Sequence, residues 1–322
     1  MKNLLTIYIL LFFFYNATAQ SLEGITNVKD TSYNNYSAFL SVKKKYPKVQ
    51  IVPETSSPNV KEKKDIRYCK VGDRDLLLDV FYAKTKKKNP AVIIIFGGGW
   101  RSGNRTQHYP LAQKLASLGF ICFTPEYRLS TEALYPAAVY DLKAALRWVK
   151  INGSKYNVDT SKIAVLGFSA GGELAAFLGT TANNKMFEGT CNPFQNTNVQ
   201  AVVDIDGTLS FVHPETGEGD DSKKKSAATL WFGFSKKENV ELWKQASPLT
   251  YASANTPPTL FINSSVERMH AGREDYIKIL NANNIYTEVK TFEDSPHSFC
   301  LFDPWFQPTV KYIDDFLKKV FK

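Results

Sequence analysis

From Ile66 onward, short runs of β-branched and aromatic residues alternate with stretches whose apolar positions recur every third or fourth residue. The first texture reads as strand and the second as amphipathic helix, and their alternation predicts βαβ units around a mostly parallel sheet. IRYCKV and DLLLDVFYA, separated by Gly72 and Asp73, predict an antiparallel pair. AVIIIF (91–96) is apolar throughout, as a strand buried on both faces should be. YPLAQKLASLGF predicts a helix ending at Gly119, ICFTPEYRL a strand, and YPAAVYDLKAALRWVK a helix with Pro136 near its start. KIAVLGFS is the next strand and GGELAAFLG the next helix, followed by QAVVDIDG as a sixth strand. TLFINSS and YTEVKTFE complete the strands, with helices predicted over REDYIKILNAN and TVKYIDDFLKKVF.

Three segments depart from this rhythm. Residues 1–19 hold Lys2, an apolar run from Leu4 to Tyr15 and then Ala17-Thr18-Ala19, a small-residue cleavage pattern. Such a run is shorter than the roughly 20 residues a hydrocarbon core demands, so it reads as a cleaved leader of a secreted or periplasmic protein. Residues 20–65 are polar and rich in Lys, Ser and Asn, and are expected to form an arm ahead of a catalytic domain over 66–322. Between about 208 and 247 the alternation lapses into an acidic patch, lysines and the aromatic group Trp231-Phe232-Gly233-Phe234, an insert read either as a lid or binding element or as a solvated excursion whose aromatics pin it to the core.

Charge changes the picture only modestly. The formal net charge is +9, or +8 without Lys2, and much of the excess lies in short clusters such as 43–45, 86–88 and 223–225. That balance fits a solvated surface or attraction to an acidic polymer, and no zinc-finger spacing or aromatic-basic motif points to nucleic acid. Four cysteines do not amount to a disulfide framework. Cys122, inside an apolar run, is expected to be buried, while Cys69, Cys191 and Cys300 leave a single bridge open among them.

The chemistry centres on Gly167-Phe168-Ser169-Ala170-Gly171, a G-x-S-x-G pattern with a strand before it and a helix after it. A serine on so tight a turn presents its hydroxyl outward, and the helix starting beneath it favours developing negative charge. The hydroxyl requires a base. Of His108, His213, His270 and His297, the last follows the final strand and precedes the closing helix, where catalytic groups of α/β sheets gather. The supporting carboxylate is expected on the loop after TLFINSS, with Glu267 the first on it; Asp294, Glu274 and Asp275 compete. FGGGW (96–100) follows the strand AVIII, so the N–H groups of Gly98 and Gly99, with that of Ala170, are the expected oxyanion donors. No metal or organic cofactor is implied.

Together FGGGW, PEYRL, YPAAVYDLKAALRWV, VDTSKIAVLGFSAGG, SPLTYASANTPPTLFINSS and PHSF resemble the α/β-hydrolase esterases of the hormone-sensitive-lipase and acetyl-esterase type, including bacterial acetylxylan and feruloyl esterases. The resemblance runs from about residue 70 to the C-terminus. It implies an α/β-hydrolase fold with a mostly parallel eight-stranded sheet, flanking helices and an insert after the sixth strand. It also implies a serine carboxylesterase, here expected to remove short acyl groups, acetate first, from a plant-type polysaccharide such as xylan or pectin. Feruloyl or small-molecule esters, an exopeptidase of the prolyl-oligopeptidase type and a non-catalytic binding protein are the alternatives. Two departures stand out: Phe96 replaces the family's usual His, and Glu267 stands where an Asp is usual.

Overall fold

The computed structural model describes residues 19–55, 57–182 and 184–322. The expected leader therefore lies outside the described residues except for Ala19. Among the described residues, no helix is long and apolar enough to cross a membrane.

Ahead of the sheet come α1 (Asn35–Val42) and β1 (Gln50–Ile51). The strands β2 (Val60–Val71), β3 (Arg74–Ala83) and β4 (Asn89–Ile95) lead to α2 (Tyr109–Ser117), β5 (Ile121–Pro125) and α3 (Ala137–Asn152). Next are β6 (Val158–Phe168), α4 (Ala170–Thr180), β7 (Ala201–Ile205), α5 (Ala227–Phe232) and α6 (Val240–Gln245). The chain closes through β8 (Thr259–Asn263), α7 (Arg273–Ala282), β9 (Thr287–Thr291), β10 (Phe302–Asp303) and α8 (Phe306–Val320).

Eight strands form one sheet in the order β2-β3-β5-β4-β6-β7-β8-β9. The pairs β2–β3 and β3–β5 are antiparallel and all others are parallel. This is the α/β-hydrolase sheet. Its central strands are apolar on both faces because helices cover both: α3 and α4 pack in one core with Ile93, Val165 and Val202, α2 and α8 in the other with Ile94, Leu166 and Val203. Parallel strands carry their chemistry at their carboxyl ends, and β4, β6 and β7 end side by side.

Two expectations change. Residues 20–65 are not a loose arm: Ala38, Val42, Val49 and Val52 are buried in the second core, β1 pairs with β10, and β2 begins at Val60. A few apolar side chains spaced through polar sequence are enough to seat the segment, whereas average polarity conceals them. The strand predicted over ICFTPEYRL stops at Pro125. The rest leaves the sheet so that Arg128 can grip Asp141 through two hydrogen bonds of 2.8 Å, while Tyr127 turns inward to donate to Phe96 O at 3.0 Å. Cys69 and Cys191 form the disulfide, and Cys122 and Cys300 are buried and free.

Candidate active site

The turn at Ser169 follows from steric necessity. Ser169 sits between β6 and α4 with φ +57° and ψ −122°, a conformation that non-glycine residues rarely adopt. A Cβ on Gly167 would lie 1.8 Å from Gly171 O, and one on Gly171 would lie 2.2 Å from Ile95 O. Only glycine permits that approach, which is what the flanking positions of the motif encode. The turn is fastened to the neighbouring strand by Ser169 N–H, which donates to Ile205 O at 2.8 Å.

His297 brings its Nε2 to 2.8 Å from Ser169 Oγ. Its Nδ1 stands 2.9 Å from Asp206 Oδ2. An ionised carboxylate only accepts, so Nδ1 carries the proton and Nε2 is left to accept the serine hydroxyl. The imidazole is seated over Phe168, ring centres 4.9 Å apart.

Asp206 is therefore the carboxylate at His297, and the expectation of Glu267 is corrected. Glu267 lies in a short 3-10 turn after β8 and is exposed. The competitors are elsewhere too: Asp294 accepts from Tyr46 Oη at 2.8 Å, Asp275 faces His213 at 3.6 Å, and Glu274 pairs with Arg273. The physical reason is sheet order. β7 is hydrogen-bonded directly to β6, so the residue just past its end reaches the serine turn, whereas β8 is one strand further away. The pointer in the sequence was DIDG, a carboxylate and a glycine closing a strand.

Asp206 adopts φ +53°, which redirects the chain at the strand end. Its Oδ1 accepts from Ser264 N at 2.7 Å, and His270 Nε2 stands 3.4 Å from the same oxygen. Burial, the largest influence, would raise this carboxyl, but the approach of His270 and the His297 and Ser264 hydrogen bonds outweigh it and hold it at about 2. Asp206 is thus fixed as an anion.

The glycine loop after β4 lies against the serine, since a Cβ on Gly97 would fall 3.0 Å from Ser169 Cβ. Gln107 clamps Gly97 from both sides, accepting from its N–H at 2.8 Å and donating to its carbonyl at 3.2 Å. Gly98 adopts φ +136°, and its carbonyl accepts from Ser102 N–H (3.0 Å) and Oγ–H (2.9 Å). Among the described residues, the N–H groups of Gly98, Gly99 and Ala170 have no protein acceptor. Phe96 stacks on Tyr127 with centres 4.3 Å apart, so apolar packing stands where the resembled family has an imidazole.

The insert supports this loop. Trp100 Nε1 donates to Glu173 Oε2 at 2.9 Å, and the Trp100 ring stacks on Trp231 of α5 at 4.8 Å and 6°. Burial pushes the Glu173 carboxyl well up. Trp231, Phe232 and Trp243 are all fully buried, so the aromatic group anchors the insert to the body. Among the described residues, no cluster of His, Cys, Asp and Glu has the arrangement of a metal site.

A serine on a strand–turn–helix elbow, hydrogen-bonded to a histidine that is hydrogen-bonded to a carboxylate, defines an α/β-hydrolase of the serine type. The sequence profile of the BD-FAE family matches residues 78–269, which include Ser169 and Asp206, and the chain belongs to that family. It is 33% identical over 195 residues to Esterase LipC of Mycobacterium tuberculosis, covering 59% of this chain and 47% of that one. With Probable carboxylic ester hydrolase LipM of the same organism it shares 31% over 212 residues, covering 64% and 46%. The chain thus spans about half the length of the curated relatives it matches. Among solved structures, a truncated carbohydrate esterase from gut microbiota superposes with a TM-score of 0.69 at 22% identity, over 83% of this chain and 99% of that one. An acetyl ester-xyloside bifunctional hydrolase from Caldicellulosiruptor lactoaceticus gives 0.66 at 22%, over 80% and 96%. At such identities the shared property is the fold.

Proposed function

We propose that the protein is a carboxylic ester hydrolase in which Ser169 is the nucleophile, His297 the base and Asp206 the supporting acid. The observation that carries this reading is the unbroken relay from Ser169 Oγ through His297 to Asp206, with contacts of 2.8 and 2.9 Å. His297 Nε2 takes the hydroxyl proton as Oγ bonds to the ester carbonyl carbon. The oxyanion is received by the amides of Gly98, Gly99 and Ala170. The same proton then goes from Nε2 to the leaving alcohol, giving an acyl-serine. Water, deprotonated by the neutral imidazole, attacks that acyl group, and Oγ departs with the proton returned. Asp206 stays ionised throughout and stabilises the imidazolium.

The acyl group is short, acetate first, and the alcohol is a saccharide of a plant-type polysaccharide. Supporting this are the two structural neighbours, one a carbohydrate esterase and one an acetyl ester-xyloside bifunctional hydrolase. Export through the leader over 1–19 is part of the same reading, and the Cys69–Cys191 disulfide suits an oxidising compartment. The test compares p-nitrophenyl acetate, butyrate and a feruloyl ester with released acetate from acetylated xylan and pectin, for the parent and Ser169→Ala. Acetyl turnover above the longer esters, abolished in Ser169→Ala, is expected. Equal turnover of all three would remove the acetyl assignment, and activity surviving in Ser169→Ala would remove the enzyme mechanism.

A further inference from the structure

Two clefts border the insert. One, of about 560 Å³, runs from Gly98 past Ser102 to the insert at 222–227. The other, of about 1170 Å³, lies between 216–222, 235–237 and Arg268. Asp220 and Ser222 line both, so the two clefts meet along this segment as a channel of two lobes. Gly98, in the loop that lies against Ser169, lines the first cleft, so that end of the channel opens beside the serine turn.

The channel wall carries seven lysines and arginines against four carboxylates. Most of those carboxylates are already occupied. Asp30 pairs with Arg101 at 3.2 Å, and Asp221 accepts from Ser226 N–H (2.7 Å) and Thr229 Oγ1–H (2.8 Å). Glu218 faces Arg268 at 3.9 Å. Among the described residues, Lys223, Lys224, Lys236 and Lys237 make no ion pair, while Lys225 is paired with Glu23. Lys236 is held in place rather than loose. Its Nζ sits 5.4 Å from the centre of the buried Trp243 ring, and a Cβ on Gly219 would come within 3.1 Å of its Cε. Burial pushes its ammonium down from the usual lysine range, against the pull of Glu218 and Asp221. A partly desolvated cation that no carboxylate approaches to ion-pair distance is stabilised further by an anion brought by a ligand.

We propose that this channel binds a carboxylate-bearing saccharide chain, with Lys236, Lys237 and Arg268 as one anion subsite and Lys223 and Lys224 continuing it towards Gly98. The substrate class is then an esterified uronate-containing polysaccharide rather than a neutral one, an inference that rests on the ester-hydrolase reading for the ester but not for the binding. Arginine offers a planar fork that matches a carboxylate, and the lysines supply point charges along the chain.

The test uses the full chain carrying Ser169→Ala, in affinity electrophoresis through gels holding either de-esterified polygalacturonate or neutral xylan. Retardation by polygalacturonate is expected, weakened at least tenfold in Kd between 20 and 300 mM NaCl and at least fivefold by Lys236→Gln with Lys237→Gln, whose fold is checked by circular dichroism. Equal or absent retardation in the two gels, or a double variant that binds as its parent does, overturns the proposal. Dextran sulfate is the third arm: binding it more tightly than polygalacturonate would overturn the carboxylate assignment. Hydrolysis of p-nitrophenyl acetate by the parent enzyme is read separately. Its absence with binding intact would sink the esterase reading alone, and its presence without binding would sink this inference alone.

Discussion

Replacing Asp206 by Asn separates the acid seen in the fold from the one the sequence suggests. Asn tolerates the φ of +53° at this position, so the backbone is preserved. Ser264 N–H donates to Oδ1 at 2.7 Å, which selects the amide oxygen for that site and leaves the amide NH2 facing His297 Nδ1. Nδ1 must then accept, the ring proton moves to Nε2, and the imidazole can no longer take the proton of Ser169. A wrong tautomer of this kind costs about 10⁴ in kcat, or about 5.5 kcal/mol of transition-state stabilisation. Glu267→Gln, at an exposed position with no polar contact to His297 among the described residues, is expected to change kcat by less than about twofold. The assay is kcat and KM on p-nitrophenyl acetate for the parent and both variants, with thermal unfolding to confirm that each is folded. An Asp206→Asn enzyme within tenfold of the parent, or a hundredfold loss in Glu267→Gln, would refute the reasoning.

His108 is buried with neither ring nitrogen hydrogen-bonded among the described residues, and burial pushes it down to about 3. Above the unfolded value of 6.5 both states are neutral; below it the unfolded chain binds a proton that the folded protein refuses. Stability should therefore fall by about 1.4 kcal/mol per pH unit from pH 6.5 towards 3 on account of this residue, about 2 kcal/mol by pH 5. His108→Leu should flatten that slope in urea titrations at pH 7, 6 and 5, and an unchanged slope would contradict the assignment. The Cys69–Cys191 bridge spans 122 residues, for which chain entropy gives an upper figure of about 5 kcal/mol. Cys69→Ser with Cys191→Ser should lower the urea midpoint at pH 7 accordingly; a midpoint equal to the parent's would show that the bridge adds nothing.

The serine turn was legible because it is local. Strand, G-x-S-x-G and helix lie in one stretch, and the glycines are forced by contacts between residues a few positions apart. The glycine loop was legible as a loop because it follows directly on the apolar run of β4. His297 was legible because it lies in the loop between the last strand of the sheet and the closing helix, although that strand, TEVKT, is itself not apolar. Asp206 was not, although DIDG ends a strand just as visibly. Which of two consecutive strands delivers the carboxylate depends on their places in the sheet, and hydrophobic periodicity carries no information about strand order. The segment 20–65 escaped for a different reason. Its buried positions, Ala38, Val42, Val49 and Val52, are few among lysines and serines, and the partner of β1 lies about 250 residues away in β10. The aromatics of the insert were visible as a group, but where they pack, Trp231 on Trp100 and Phe232 on Phe211 and Trp243, is a tertiary fact.

Covalent trapping tests the central claim most directly. The full chain is incubated with a p-nitrophenyl phosphonate ester, digested and read by mass spectrometry. The relay through His297 predicts one adduct per chain, on the peptide containing Ser169, forming at least a hundred times more slowly in Asp206→Asn. An unlabelled Ser169, or an adduct on another residue, would contradict it.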